Sequence, residues 1–582
     1  MTEFLQRLKQ RKLVQWALAY VAAAFALIQV VDVVAQRFGW PDRLEKLIIL
    51  ALAVGFFVVL VIAWYHGDKG RQRVSGAELL LIALVLAVGG GLLWRFARAP
   101  SNAVAVSVSA LAQAIPIPAK SIAVLPFENL SGDSKQAYFS EGITEEILNA
   151  LAQIPDLKVS GRTSAFQFNS KDENLRQIGT TLGVADVLVG SVQKAGDEVR
   201  INVQLIDAHT GYQRWSEKYD RKLTNIFAIE DDISSAVAGK LRVQLAGAAG
   251  QALVVQKAID PRAHDFYLRG LALLAARGPG LRDAVTAFQS AVKIDPQYAE
   301  AWGALAETET LLPAYWLDTM EAVLPRAQSA ARRAIMLDPA TPLAHVALGN
   351  VYSDRWQWAD ADRAFRRALA LAPGDAETID QYAQFLLVVG QFDAALSEIE
   401  RAQQIDPLSA VIGANRAHFL IVLHRYDDAE TQIEQTLAMH PDFALAHTIA
   451  AVLDIDRHRY VEAEVQMRLA APFYGGDPNA FVQLVRGMAD PVLRSKVVGD
   501  LETSPAYAAL RRDPIVHAMY LTWLGQTDRA LDVLELFVVK RNSNQPQTLW
   551  SPTFDPIRND PRFKAVLKKM GLPYKPPETA AP

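Results

Sequence analysis

The sequence contains no cysteine among its 582 residues. Disulfide bonds, thiolate-bound zinc and a cysteine nucleophile are therefore excluded. An excess of charge of either sign is also missing, because 59 Lys and Arg residues oppose 63 Asp and Glu residues. A chain this balanced has no overall field that would attract nucleic acid or an anionic surface, so we predict no nucleic-acid partner.

Motifs for nucleotide binding and hydrolysis are missing as well. The segment FENLSGDSKQAYFSEGITEEI (127–147) places a glycine-bearing loop between a strand and a helix, which is how many phosphate sites begin. Neither G-x-x-x-x-G-K-S/T nor G-x-G-x-x-G occurs in it, and its carboxylates would repel a phosphate. No G-x-S-x-G is present, and the histidines lack the i, i+4 spacing of a helical metal site. We predict a non-enzyme with no catalytic residue, no cofactor and no metal.

Three long apolar runs do occur in the first hundred residues, at 13–35, 47–65 and 77–94. Each is close to the ~20 residues that a helix needs to cross a membrane. Residues 1–98 are therefore expected to form a membrane anchor with three transmembrane helices. The distribution of Lys and Arg around these runs favours a cytoplasmic amino terminus. The uncharged stretch 99–119, rich in Ala, Ser, Val and Pro, is expected to be a linker.

The carboxyl-terminal half is repetitive. Prolines recur at steps of 43, 34, 34 and 34 residues, at Pro296, Pro339, Pro373, Pro407 and Pro441. Small residues stand twelve and five positions before each proline, namely Ala284, Ala327, Ala361, Ala395 and Ala429, then Ala291, Ala334, Ala368, Ala402 and Thr436. Small residues let two antiparallel helices approach closely, and proline ends the second helix. The pattern predicts stacked helical hairpins over 255–478, followed by looser hairpins and a tail over 479–582.

This repeat resembles the tetratricopeptide repeat (TPR). The resemblance is clearest in 342–375, where the family's positions hold Leu348, Gly349, Tyr352, Ala361, Phe365, Ala368 and Pro373. It implies that the first helix of each pair lines a concave groove that binds protein partners, with the groove positions Arg269, Asn350, Asp354, Asp380, Gln384 and His418. Arrays that grip chaperone carboxyl termini carry paired Lys and Asn in this groove. The matching positions here hold Val346 with Asn350 and Asp380 with Gln384, so that role is not expected.

Residues 120–245 have a different character. SIAVLPF (121–127) is a short run of branched apolar residues and predicts a buried strand. Residues 138–154 and 225–241 carry apolar residues at helical spacing. Residues 185–211 predict two alternating strands joined near Ala195, Gly196 and Asp197, and 212–223 predict one more strand. The alternation of strands and helices predicts an α/β domain with a mixed sheet.

The same segments carry a second resemblance. SIAVLPFENLSGD, AYFSEGITEEI, LGVADVLVGSV and WSEKYDRKLTNIFAIEDDI occur in this order in a domain similar to the TolB amino-terminal domain. In bacteria that domain often precedes TPRs, in membrane-bound regulators of the CadC type and in some class III adenylate cyclases. No segment of this sequence is expected to form the winged helix or the cyclase domain of those relatives. The resemblance implies a bacterial inner-membrane protein. With a cytoplasmic amino terminus and three predicted crossings, the soluble domains are expected to be periplasmic.

The expected fold class is therefore multi-domain, with N-terminal transmembrane helices, an α/β mixed-sheet domain and an all-α TPR solenoid. The leading hypothesis is a membrane-embedded adaptor or scaffold that binds protein partners through the TPR groove, in signalling or envelope assembly. A small-molecule sensor with its ligand at the carboxyl ends of the strands is an alternative. A regulatory part of a cyclase or transcription-regulator system is a third.

Overall fold

The computed structural model describes residues 24, 117–133, 136–154, 156–168, 174–196, 198–222, 226–241, 259–471, 477–543 and 545–573. In this part of the chain, no helix is both long enough and apolar enough to cross a membrane. The longest helix there, Met320–Leu337, has 18 residues and includes Glu321, Arg326, Arg332 and Arg333.

The expected fold class is therefore corrected. The described chain is mostly helical, with a TPR-like solenoid and a small mixed sheet, and it contains no transmembrane helix. The runs predicted to span a membrane, at 13–35, 47–65 and 77–94, lie outside the described residues apart from Ala24. The predicted location in a bacterial inner membrane stays a prediction.

The described strands form one mixed sheet. Their order is β3-β1-β4-β5-β6, with β2 beside β4. The strands are β1 Ser121–Val124, β2 Glu128–Asn129, β3 Lys158–Val159, β4 Asp186–Ala195, β5 Glu198–Asp207 and β6 Gln213–Lys222. β1 runs parallel to β3 and β4, whereas the β4–β5 and β5–β6 pairs are antiparallel. The predicted hairpin is confirmed, because Ala195 pairs with Glu198 across Gly196, whose φ is +60°.

Helices cover both faces of this sheet. They are α1 Ala137–Ala152, α2 Arg162–Ala165, α3 Leu175–Leu182 and α4 Ile226–Lys240. Phe139, Ile143 and Ile147 of α1 stand at helical spacing and are buried in one cluster with Ile122 of β1. On the other face, Ile178 and Leu182 of α3 are buried with Ala123. A strand covered on both sides needs apolar residues at consecutive positions, which is the pattern of β1.

The solenoid consists of antiparallel helix pairs. Within the described residues the pairs are α5 Pro261–Ala276 with α6 Leu281–Ile294, α7 Ala299–Leu311 with α8 Met320–Leu337, α9 Pro342–Asp354 with α10 Trp358–Leu371, α11 Ala376–Val388 with α12 Phe392–Ile405, α13 Ala410–Val422 with α14 Tyr426–Met439, and α15 Ala444–Asp456 with α16 Tyr460–Ala470. The 43-residue step is explained by a longer connection after Leu311 and by the length of α8.

The small residues of the repeat lie where the two helices of a pair meet. All ten are buried, with exposures of 0 or 1 %, namely Ala284, Ala291, Ala327, Ala334, Ala361, Ala368, Ala395, Ala402, Ala429 and Thr436. Gly349 shows how tight the approach is, because a Cβ atom built on it would stand 2.8 Å from the ring of Phe365. The prediction of stacked helical hairpins is confirmed.

The chain after the repeats folds back onto them. Its helices are α17 Pro478–Ala489, α18 Pro491–Thr503, α19 Ala508–Arg512, α20 Pro514–Trp523, α21 Thr527–Lys540, α22 Asp555–Arg558 and α23 Pro561–Met570. The indole Nε1 of Trp550 donates to the carbonyl of Val388 at 2.9 Å, and that of Trp358 donates to the carbonyl of Met570 at 2.8 Å. These contacts hold the carboxyl-terminal segment against the turns that join the two helices of a pair.

The sheet domain also packs against the solenoid, at two places. Near its start, the Tyr138 hydroxyl donates to Asp265 of α5 at 2.9 Å. Farther along, the backbone N–H of Ser164 donates to Asp406 at 2.7 Å, and the N–H of Leu408 donates to the Ser164 hydroxyl at 2.8 Å. Asp406 is only 5 % exposed. The sheet domain therefore bridges the first helix of the solenoid and the turn after α12.

Replacing Gly349 by alanine tests the close approach of the helices. The added methyl group would collide with the Phe365 ring in the core of the pair, so Gly349→Ala should lower the free energy of unfolding by about 1–3 kcal/mol. Gly499→Ala is the matched control, because this glycine lies in α18 with no atom within 4 Å of a Cβ. The control should be neutral or stabilising by up to about 1 kcal/mol. Urea unfolding of both variants measures the difference, and equal stabilities would contradict the packing argument.

Candidate functional site

A chain of polar side chains crosses the first helices of successive pairs. The amide nitrogen of Asn350 on α9 donates to Gln381 on α11 at 2.6 Å and to the Thr310 hydroxyl on α7 at 3.3 Å. The amide nitrogen of Gln381 in turn donates to Glu307 on α7 at 2.7 Å. These bonds join three helix pairs, and they order side chains that the sequence spaces far apart.

A second set of bonds continues onto the next pair. Asn415 on α13 donates to both carboxylate oxygens of Asp380 at 3.0 Å, and Gln384 donates to Asp380 at 3.0 Å. We call the combined set the polar ladder, and its members are Glu307, Thr310, Asn350, Asp380, Gln381, Gln384 and Asn415. Asn350, Gln384 and Asn415 are half-buried, so an edge of the ladder faces solvent.

Carboxyl groups give the ladder an acidic character. Burial raises the pKa of Asp380 and of Glu307 to about 7. Burial also raises the pKa of Asp354, at the end of α9, to about 7. Glu307 keeps one buried carboxylate oxygen without a hydrogen-bond partner. Burial penalises the charged form of each group, so a nearby cation or hydrogen-bond donor would be favoured.

A guanidinium close to this set, that of Arg277, is already paired. Arg277 follows α5 and forms an ion pair with Glu377 on α11. Asp375, two residues before Glu377, caps α11 by accepting from the N–H of Thr378 at 3.1 Å. The face formed by α7, α9 and α11 therefore carries more carboxyl groups than cations.

The structure brings some of the predicted groove residues together and separates others. Asn350, Asp380 and Gln384 belong to the polar ladder. Asp354 and His418 lie on the same first helices, but neither forms a hydrogen bond or ion pair with the described residues. Burial lowers the pKa of His418 to about 4. Arg269 is exposed on α5, near the Tyr138–Asp265 contact with the sheet domain, and does not join the ladder.

Sequence reasoning missed several ladder residues, although the repeat itself contains a signal for them. Glu307, Asn350, Gln384 and His418 occupy equivalent positions in consecutive repeats. Gln381 and Asn415 are likewise one repeat apart. Extending the predicted position Asn350 back by one repeat would have found Glu307, whereas Asn415 is one repeat after Gln381, which no predicted position reaches. No sequence signal shows that Gln381 contacts both Asn350 and Glu307, since that depends on how the helices stack.

No group of three or more His, Asp or Glu residues in the described part of the chain could hold a metal ion. The prediction of no metal and no cofactor stays a prediction.

Comparison with known families identifies the repeats. Residues 386–453, from α11 to α15, match the tetratricopeptide repeat family model. The chain contains tetratricopeptide repeats. This confirms the resemblance drawn from the proline and alanine spacing. The resemblance of 120–245 to the TolB amino-terminal domain stays a prediction.

One relative among curated proteins is named "Putative adenylate cyclase 3", from Rhizobium meliloti (strain 1021). It is 37% identical over 235 residues, which are 40% of this chain and 40% of that protein. The chain thus covers less than half of the length of this relative. That the present chain is not an enzyme therefore stays a prediction.

Solved structures give weaker similarities. The chain is similar to a human IFIT1 dimer with m7Gppp-AAAA, at 17% identity over 54% of this chain and 77% of that one, with a TM-score of 0.35. It is also similar to YrrB, described as a TPR protein with an unusual peptide-binding site, at 20% identity over 32% of this chain and 91% of that one, with a TM-score of 0.23. Scores this low carry no argument about function.

The raised pKa values predict how stability depends on pH. Folded Asp380 and Glu307 retain protons up to about pH 7, whereas the unfolded chain loses them near pH 4. Their contribution to stability is therefore present at low pH and is lost as the pH rises through 7. Asp380→Asn removes one of these groups. The decrease in melting temperature between pH 5 and pH 8 should therefore be smaller for this variant than for the wild type.

The control for this measurement is Glu434→Gln, which changes an exposed carboxylate with no hydrogen bond to the described residues. Its melting temperature should follow the wild-type pH dependence. If Asp380→Asn also follows the wild-type curve, Asp380 does not hold its proton in the folded chain.

Proposed function

We propose that this protein is a TPR adaptor that binds a segment of another polypeptide along the face formed by α7, α9, α11 and α13. The observation that carries the proposal is the polar ladder, which runs across these four helices with hydrogen bonds of 2.6–3.3 Å. Amide and carboxyl groups ordered in this way can exchange bonds with a peptide backbone at little further cost in side-chain entropy.

The charge of this face selects the kind of segment. Glu307, Asp354 and Asp380 lie within it, and burial raises the pKa of each to about 7. A lysine or arginine side chain placed here would give these carboxyl groups a cationic partner and stabilise their ionised form. A peptide carboxylate would be repelled instead. The proposed partner segment is therefore extended and cationic.

A place in signalling is the finer part of the proposal. The similarity to the Rhizobium meliloti protein over 40% of each chain supports it, through the name of that protein. In this setting the adaptor would act beside a nucleotide cyclase that contains the same type of repeat. The cyclase, a separate chain, would carry out the reaction. Envelope assembly is the other setting in which an adaptor of this kind would act.

Binding of labelled peptides tests the adaptor proposal. The probes are fluorescein-labelled dodecapeptides that are rich in lysine and arginine, neutral, or rich in glutamate, measured by fluorescence anisotropy with the purified full-length chain. The cationic peptides should bind most tightly. Asp354→Asn should weaken them by about tenfold, or about 1.4 kcal/mol. Asp354 forms no hydrogen bond with the described residues, so this substitution should leave the fold intact.

Asp442→Asn serves as the matched control, since Asp442 is an exposed aspartate in the turn after α14. The control should bind the peptides as tightly as the wild type. A preference for glutamate-rich peptides, or equal losses in both variants, would contradict binding along the polar ladder.

The prediction that this chain is not an enzyme has a direct test. Purified full-length chain incubated with ATP and Mg²⁺ or Mn²⁺ should form no cyclic AMP above a heat-denatured sample. Cyclic AMP formation that rises in proportion to the concentration of the chain would overturn the prediction and make the chain a cyclase.

A further inference from the structure

A cleft of about 590 Å³ lies where the sheet domain meets the first helix of the solenoid. Its walls come from the loop after β1, from α1 and α2, and from one face of α5. The lining residues are Pro126, Phe127, Glu128, Glu141, Arg162, Phe166, Gln167, Phe168, Ala272, Ala275 and Ala276. The volume falls within the 300–1,000 Å³ that is common for small-molecule sites.

The topology of the sheet explains why a cleft forms here. The chain leaves β1, passes through α1 and adds β3 on one side, then returns to add β4 on the other side. Pro126, Phe127 and Glu128 follow the carboxyl end of β1, and Arg162 and Phe166 follow that of β3. In open α/β sheets, a reversal of strand order leaves a crevice at the carboxyl ends of the strands, where ligands bind.

Arg162 supplies a fixed positive charge in this cleft. Its Nε donates to Glu145 at 2.8 Å, and its guanidinium carbon stands 4.2 Å from the centre of the Phe166 ring. These two contacts fix the plane of the guanidinium. The four N–H groups of its terminal nitrogens have no acceptor within the described residues. They can therefore receive a carboxylate in the two-pronged geometry that arginine favours.

Glu141 supplies the opposite charge. It lies one helical turn before Glu145 on α1 and forms no hydrogen bond or ion pair with the described residues. Burial raises the pKa of Glu141, and the positive charge of Arg162 in the same cleft opposes this rise. Glu128 also lines the cleft, but it already has a partner of its own. The cleft thus offers one set of free donors and one free carboxylate.

Phenylalanine and alanine side chains contribute much of the remaining lining. Phe127, Phe166 and Phe168 come from the sheet domain, while Ala272, Ala275 and Ala276 come from α5. The amide nitrogen of Gln167 already donates to the carbonyl of Leu408 at 3.0 Å, so we do not assign it a contact with the ligand. A ligand that fills this space can place an apolar part against these side chains, beside the groups that meet Arg162 and Glu141.

We propose that this cleft binds a small zwitterion with an apolar side chain, namely a free amino acid, with its carboxylate on the Arg162 terminal nitrogens and its ammonium group on Glu141. The site goes beyond the adaptor function, since it lies apart from the polar ladder. Because α5 forms one wall, a bound amino acid contacts both the sheet domain and the first helix of the repeats. Its binding therefore favours the docked arrangement of the two.

Three probes that differ only in their charged groups test the site. They are L-leucine, 3-methylbutylamine, which lacks the carboxylate, and 4-methylpentanoate, which lacks the ammonium group. Isothermal titration of the full-length chain at concentrations up to about 10 mM should show L-leucine binding at least about tenfold more tightly than either analogue. Failure of L-leucine to bind, or equal affinity for an analogue with one charge, overturns the proposal.

Two substitutions then assign the ends of the ligand. Glu141→Gln should weaken L-leucine at least about tenfold and leave the affinity for 4-methylpentanoate unchanged. Arg162→Gln should weaken L-leucine similarly and leave 3-methylbutylamine unchanged. Glu434→Gln and Arg332→Gln are the matched controls, because both residues are exposed on second helices of the repeat and form no hydrogen bond with the described residues.

Arg162→Gln also removes the bond to Glu145, so its melting temperature is measured alongside its binding. Glu141→Gln removes no bond and decides the outcome if Arg162→Gln does not fold. L-leucine affinity that is unchanged in Glu141→Gln, or lost equally in the control variants, overturns the site. Neither result touches the adaptor proposal, whose peptide probes and Asp354 variant report on a different face.

Discussion

The close approach of two helices within each pair is the contact on which the rest of the structure depends. Alanine or threonine stands at both meeting points of every pair from Ala284 to Thr436, and all of these residues are buried. Gly349 lies directly beneath the Phe365 ring for the same reason. Alanine loses no side-chain entropy on burial, so repeated small contacts hold the hairpins together at low entropic cost. The hydrogen bonds of the polar ladder join one pair to the next, so they require that the helices within each pair keep this close distance.

Intramolecular contacts occupy both edges of the stacked pairs. Since neighbouring helices are antiparallel, the turns within pairs and the turns between pairs lie on opposite edges. The sheet domain packs against a turn between pairs, through Ser164 and Asp406. The carboxyl-terminal segment packs against turns within pairs, through Trp550 and Val388. A stack held at both edges has less freedom to flex than an open array of repeats. The first-helix face keeps its polar groups in place as a result.

Burial of carboxyl groups is the cost of this arrangement. Asp380 accepts three hydrogen bonds from amides, yet no cation pairs with it, so burial raises its pKa to about 7. Glu141, in the separate cleft beside α5, forms no hydrogen bond or ion pair with the described residues, and burial raises its pKa although the Arg162 charge opposes the rise. A positive charge beside either carboxyl group stabilises its ionised form. The same chemistry therefore supports a cationic peptide on the ladder and an ammonium group in the cleft.

The repeats could be predicted from the sequence because their signal is local. Proline and alanine positions fix the helix ends and the meeting points without reference to distant residues, and the hairpin at Gly196 follows from its neighbours alone. The strand β3 has two residues and the helix α2 has four, and elements this short show no periodicity, so the sequence pattern does not indicate a role for Arg162. The expectation of transmembrane helices rested on apolar runs that lie outside the described residues, and the described helices are too short or too charged for that role.

By itself, then, the sequence determined the repeat, its period and the small residues that pair its helices, because these depend on spacing along the chain. Only the tertiary structure decided that Asn350 contacts Gln381 and that Glu141 and Arg162 line one cleft. It also decided that Asp406 accepts a hydrogen bond from Ser164, which lies more than two hundred residues earlier in the chain. Such contacts depend on how complete helices and a sheet stack against each other. No local pattern of residues encodes that arrangement.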